Sequence, residues 1–124
     1  MIGSTRQVAV HAYAEPADMR KSFDALSALV QQGLGRDPLC GDLFLFVSRD
    51  RRRAKVLYWD GTGLCVFAKR LERGRFSAPW RTDGKVARLT VSELTLLLEG
   101  SEIAGRIALS PPPFELRAPG PPVG

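Results

Sequence analysis

Lys55-Val56-Leu57-Tyr58-Trp59-Asp60-Gly61-Thr62-Gly63-Leu64-Cys65-Val66-Phe67-Ala68-Lys69-Arg70-Leu71 is the stretch on which the fold turns. After Lys55, the four residues Val56 to Trp59 are β-branched, aromatic or long apolar types that suit a strand, and Asp60-Gly61-Thr62-Gly63 supplies the glycines of a tight reversal. Leu64 to Leu71 then returns as a second strand. On strand geometry Lys55, Leu57 and Trp59 share one face, and Val56 and Tyr58 the other. The stretch therefore predicts an antiparallel hairpin.

Working outward, Asp42 to Ser48 is dense in Leu and Phe and predicts a strand buried on both faces. The charged turn Arg49 to Arg53 joins it to the hairpin, which makes a meander. Gln7 to Tyr13 alternates Val8, Val10 and Ala12 against Gln7, Ala9 and His11, a short strand that Glu15-Pro16-Ala17 ends. Met19, Phe23, Leu26 and Val30, with Leu29 beside them, recur at helical spacing, so a helix is expected over residues 18–32. Asp18 is its natural N-cap, and Gly33 or Gly35 its stop.

Downstream, Glu72-Arg73-Gly74-Arg75 predicts a turn, Phe76 to Trp80 a short edge strand limited by Pro79, and Asp83-Gly84 another turn. Thr90-Val91-Ser92-Glu93 is a capping box ahead of Leu94, Leu97 and Leu98, a short helix that Gly100 closes. Ser110-Pro111-Pro112-Pro113 and the run from Pro119 to Gly124 cannot sustain helix or sheet, because proline lacks the amide and glycine resists ordering. The expected organisation is a single α+β domain over residues 1–100, an antiparallel β meander of four or five strands with two packed helices, followed by a flexible Pro/Gly-rich tail at 101–124.

A hydrophobic share of 44% and a charged share of 25% suit a soluble globular chain of 124 residues. Met1 to Gln7 has no apolar core of signal-peptide length, and no run of about 18 apolar residues occurs, so a cytoplasmic protein without membrane contact is expected. Cys40 and Cys65 have neither metal-binding spacing nor a histidine pair and are expected as buried thiols. His11 is the single histidine, and a hydrogen-bonded structural role suits it better than general base catalysis.

Charge is unevenly placed. Between Arg49 and Arg88 twelve basic residues stand against four acidic ones, a local charge of +8 in a chain whose net charge is +5. Such a basic middle suits a polyanionic partner, and a solvated basic face would explain the charge equally well. The candidate DNA contacts are Arg49, Arg51, Arg52, Arg53, Lys55, Lys69, Arg70, Arg73 and Arg75, where bases interleave with the hairpin aromatics. Arg20 and Lys21 join them: in a first helical turn they would oppose the helix dipole, which invites a phosphate or a partner carboxylate. Solvation, or pairing of Arg20 with Asp24, would explain them equally well.

Sequence motifs for zinc proteases, phosphate loops, serine hydrolases and dinucleotide binding are absent, and no cofactor, metal site or catalytic residue is expected. The sharpest enzymatic alternative is a metal-dependent nuclease with Asp42, Asp60 and Lys55 converging. Local roles explain the same residues, as Asp60 sits where turns favour Asp and Asp42 at a strand entrance.

Three words of the sequence carry a resemblance: Asp18-Met19-Arg20-Lys21-Ser22-Phe23-Asp24-Ala25-Leu26, Gly41-Asp42-Leu43-Phe44-Leu45-Phe46, and Lys55 through Phe76 with its Trp59-Asp60-Gly61 and Lys69-Arg70-Leu71-Glu72. They resemble the TnpB family, second open reading frame products of insertion sequences of the IS sixty-six type, and the likeness extends through Leu89-Thr90 to Gly100. The chain departs from that pattern at Ser22, where a glycine is usual, around Phe76 to Trp80, and beyond Ser101. The resemblance implies a non-catalytic accessory protein in DNA transposition, working beside a separate, larger transposase. DNA and that transposase are the implied partners, with an adaptor that binds the transposase without touching DNA as the alternative. Oligomeric state is not legible.

Overall fold

A computed structural model describes residues 7–80 and 87–100. The hairpin forms as the sequence predicts. Strands β3 (Arg53–Trp59) and β4 (Leu64–Arg70) pair antiparallel with Trp59 opposite Leu64 and Arg53 opposite Arg70. The reversal is held by Asp60, whose Oδ1 accepts the amides of Thr62 and Gly63, both at 2.9 Å, while Gly61 takes φ +106°. Those two bonds, Thr62 first, hold the Asp60 carboxyl below its ordinary range.

Strand β2 (Leu43–Val47) pairs antiparallel with β3, completing the expected meander. β1 (Val10–Ala12) departs from it by running parallel to β2, with helix α1 (Phe23–Gly33) between them. A parallel pair needs a crossover, and the helix supplies it. Alternation of side chains is blind to strand direction, so nothing local distinguished the two arrangements. β5 (Ala87–Leu89) pairs antiparallel with β1, and the sheet runs β4-β3-β2-β1-β5. The sheet is thus mixed but mostly antiparallel, an α+β fold.

Both faces of the sheet are covered. On one, Phe44, Phe46 and Leu57 pack with Leu26 and Val30 of α1 and with Ala17 and Met19 ahead of it. On the other, Val10, Ala12, Leu45, Val47, Ala54 and Val56 pack with Leu71, Phe76 and Leu94, the last from helix α2 (Val91–Leu97). Phe44 to Val47 are fully buried, as a strand covered on both sides requires. Each such side chain contributes about 1.5–3 kcal/mol of transfer free energy.

Four local expectations need correction. Helix α1 starts at Phe23 with Ser22 as an N-cap that makes no side-chain bond, not at Asp18. Asp18 instead folds a turn of its own, accepting the Arg20 amide at 2.9 Å while Lys21 N–H reaches the Asp18 carbonyl at 3.1 Å. This local bonding outcompetes helix. Met19 is buried from that turn, so its helical spacing with Leu26 was coincidental, and Phe23, though it opens the helix, is exposed.

Phe76 to Trp80 forms no strand, because the Phe76 amide is taken by the Arg51 carbonyl at 2.7 Å. Cys40 is exposed and Cys65 half-buried, not buried thiols. Partial burial, then the nearby Asp60 carboxylate, pushes the Cys65 thiol up. The capping box is as predicted, with Glu93 N–H on Thr90 Oγ1 at 3.0 Å and Thr90 N–H on Glu93 Oε1 at 2.8 Å. The Asp83-Gly84 turn and the tail at 101–124 lie outside the described residues.

Candidate nucleic-acid interface

The β2–β3 connection is built by its own polar side chains. Asp50 Oδ1 accepts the Ser48 hydroxyl at 2.6 Å and the Arg52 amide at 3.1 Å, and the Ser48 hydroxyl oxygen accepts the Arg53 amide at 3.1 Å. Those bonds, the Ser48 hydroxyl first, hold the Asp50 carboxyl below its ordinary range. The one carboxylate of the turn is therefore engaged in shaping it, and the arginines Arg49, Arg51, Arg52 and Arg53 flank it in the chain.

The segment after β4 is zipped onto this turn. Leu71 N–H donates to the Arg52 carbonyl at 2.8 Å, Phe76 N–H to the Arg51 carbonyl at 2.7 Å, and Arg75 Nε to the Asp50 carbonyl at 3.2 Å. Arg51 takes φ +60°, a left-handed conformation that costs a non-glycine residue about 1 kcal/mol. Its carbonyl is thereby presented to Phe76, whose buried ring anchors the loop. The result gathers Arg49, Arg51, Arg52, Arg53, Arg70, Arg73 and Arg75 at one end of the sheet. All but Arg51 are exposed.

Within this end, Arg53 and Arg70 stand directly opposite one another across β3 and β4. Like charges so placed destabilise a sheet by a few tenths of a kcal/mol to about 1 kcal/mol. Arg70 has a long 3.8 Å contact to Glu72, with both side chains mostly exposed, which is worth little. Among the described residues Arg53 makes no ion pair. Lys55, two residues along from Arg53, lies on the same face opposite Ala68. These residues line an open groove of about 430 Å³ walled by Met19.

The remaining sequence candidates are distributed differently. Arg20 pairs with Asp18, its Nη2 and Nε donating to the carboxylate at 2.8 and 3.0 Å, and not with Asp24. Those bonds hold the Asp18 carboxyl well below the usual range. Lys21 lies in the same turn, and its carbonyl receives Lys55 Nζ at 2.7 Å. Neither Arg20 nor Lys21 is in a helical turn, so the dipole conflict does not arise. Lys69 alternates onto the opposite face, where its Nζ donates to the Leu98 carbonyl at the end of α2 at 2.7 Å.

Sequence reasoning missed the wall supplied by Met19 and the zipper of residues 71–76. Both depend on contacts between distant parts of the chain, and only the lone apolar Met19 amid polar neighbours gave any signal.

Asp42, Asp60 and Lys55 do not converge. Asp42 Oδ2 lies 3.0 Å from His11 Nε2 in a buried pair, and Oδ1 accepts the Ala9 amide at 3.3 Å. Asp60 is engaged in its turn, and Lys55 sits opposite Phe46, toward the other end of the sheet. Among the described residues no group of three or more His, Cys, Asp or Glu gathers where it could hold a metal. Nor is any described helix long and apolar enough to cross a membrane.

Two proteins of Sinorhizobium fredii are similar over 100 residues. Uncharacterized protein y4jC is 37% identical, covering 81% of this chain and 85% of the relative. Uncharacterized protein y4hO is 40% identical, covering 81% and 86%. No solved structure matches. The family described as IS66 Orf2 like protein matches residues 8–107, which takes in both helices, all five strands and the arginine-rich end. The chain thus belongs to the IS66 Orf2 like protein family, an accessory-protein family associated with transposition.

Proposed function

We propose that this protein is a non-catalytic accessory factor in DNA transposition that binds the DNA backbone through the arginine-rich end of its sheet. It acts beside the separate transposase of the same element. The observation that carries the reading is the cross-strand Arg53–Arg70 pair, held inside a ring of further arginines. A fold that keeps like charges opposed on a sheet, and engages its nearby carboxylate elsewhere, is complementary to a polyanion. Guanidinium groups suit phosphate because their planar forks donate two hydrogen bonds at once. The contacting residues are Arg49, Arg52, Arg53, Arg70, Arg73 and Arg75, with Arg51 holding the turn and Lys55 at the floor of the groove.

Fluorescence anisotropy with a labelled duplex over a salt series tests this. If four to six phosphates are neutralised, the logarithm of the affinity falls against that of salt with a slope of about −4 to −5. No binding at low salt by folded protein would sink the DNA-contact reading and leave the adaptor reading to be tested against the transposase. A duplex from the element's end compared with a scrambled one would separate sequence reading from backbone binding.

A further inference from the structure

The arginine-rich end has two parts of different shape. The turn arginines Arg49, Arg52, Arg73 and Arg75 are borne on loops and exposed. Arg53, Lys55 and Arg70 instead share one face of the hairpin and line a groove of about 430 Å³, bounded by Met19, Ala68 and Glu72. A groove of this size accommodates one nucleotide. A duplex is far too wide for it.

Charge also separates the two parts. Arg53 and Arg70 are cross-strand partners, and Lys55 is two residues from Arg53 and diagonal to Arg70, so three cations lie within about 8 Å of one another at the backbone. Glu72 offsets Arg70 only weakly, from 3.8 Å with both side chains mostly exposed. An internal phosphodiester carries a single negative charge, with two of its four oxygens esterified to neighbouring sugars and two free. A terminal phosphate monoester has a charge of about −1.5 to −2 at neutral pH and three free oxygens. Two arginines and a lysine lining one groove match the monoester.

We propose that the groove between Met19 and the β3–β4 hairpin is a pocket for a terminal phosphate of a DNA strand, with Arg53 and Arg70 clamping its oxygens and Lys55 below them. This rests on the DNA-binding reading and adds to it that the protein favours strand ends carrying a phosphate. Lys55 is fixed for the task, since its Nζ is tethered to the Lys21 carbonyl at 2.7 Å with two further donors remaining. Ala68 opposite Lys55 leaves the space that a larger side chain would fill.

The test compares one short duplex carrying 5′-phosphates with the same duplex ending in hydroxyls, at equal salt, by competition anisotropy. The phosphorylated duplex is expected to bind about tenfold more tightly, the worth of charge-assisted bonds to one added anionic group. Arg70→Gln should bring that ratio close to one, whereas Arg52→Gln should weaken both duplexes and keep the ratio. Arg70 is exposed, so its substitution leaves folding intact, and circular dichroism checks this.

Equal affinity for the two duplexes would overturn the pocket while leaving DNA binding standing. A ratio unchanged by Arg70→Gln would also overturn it. Saturable binding of a deoxynucleoside monophosphate, without any gain from the phosphorylated end, would assign the groove to a free nucleotide and overturn the strand-end assignment. Failure of both duplexes to bind would sink this inference together with the reading it rests on.

Discussion

The two ends of the β3–β4 hairpin treat charge in opposite ways. At the Asp60 end the two aspartates have internal partners: Asp60 is closed by two amides of its own turn, and Asp42 by His11 and the Ala9 amide. At the Arg53 end seven arginines gather around two carboxylates, Asp50, which is engaged in the turn through Ser48 and Arg52, and Glu72, which meets Arg70 only at 3.8 Å. Closed networks of this kind stabilise a fold, whereas surplus charge of one sign costs stability and is compensated by a ligand. On the proposed reading, the Asp60 end is architecture and the Arg53 end the interface.

That contrast can be broken from the architectural side first. His11 is buried, stacks on Phe44 with ring centroids 5.4 Å apart, and meets Asp42 in the core. His11→Ala removes the ring and one partner of a buried carboxylate, and should lower unfolding free energy by about 3 kcal/mol. Chemical denaturation measures this, and duplex affinity of the remaining folded protein should not change. A weakened affinity at full stability would place His11 in the interface and dissolve the contrast.

A smaller effect is expected at Gly100, which touches the zipper from behind. Gly100 has φ +91°, and a Cβ there would lie 2.8 Å from Leu71 Cδ1. Gly100→Ala should cost about 1–2 kcal/mol, since an alanine tolerates that backbone poorly and Leu71 must shift. Leu71 anchors the loop through its amide on the Arg52 carbonyl. If the zipper is what gathers the arginines, this variant should also weaken duplex binding, by less than tenfold, whereas a stability loss with binding untouched would show that Arg73 and Arg75 need no fixed platform.

Where the sequence could be read, the cause was local. Alternation and an Asp-Gly turn specified the hairpin, a continuous apolar run specified the doubly buried β2, and Thr90 with Glu93 specified the start of α2. The helix start was misread because Asp18 bonds to its own neighbours more readily than it caps, leaving Met19 buried from a turn. The parallel pairing of β1 with β2 and the loop conformation of Phe76 to Trp80 were set by distant partners, Leu43 to Leu45 and Arg51 respectively.

The site was legible as a pile of charge but not as a shape. Adjacent Lys69 and Arg70 look equivalent in sequence, yet strand alternation sends the Lys69 ammonium to the end of α2 and places Arg70 on the face it shares with Arg53. Arg20 was the reverse case, conspicuous in sequence and neutralised by Asp18 in the fold.

The most direct test of the interface is a comparison of two charge reversals in the same duplex-binding assay. Arg52→Glu with Arg73→Glu acts at the arginine-rich end, and Arg36→Glu with Arg88→Glu changes net charge equally on exposed residues elsewhere. The first pair should reduce affinity by about a hundredfold at low salt and flatten the salt slope by about 2, while the second should leave both nearly unchanged. Equal losses from the two pairs would mean that DNA responds only to net charge, and would contradict an interface at this end of the sheet.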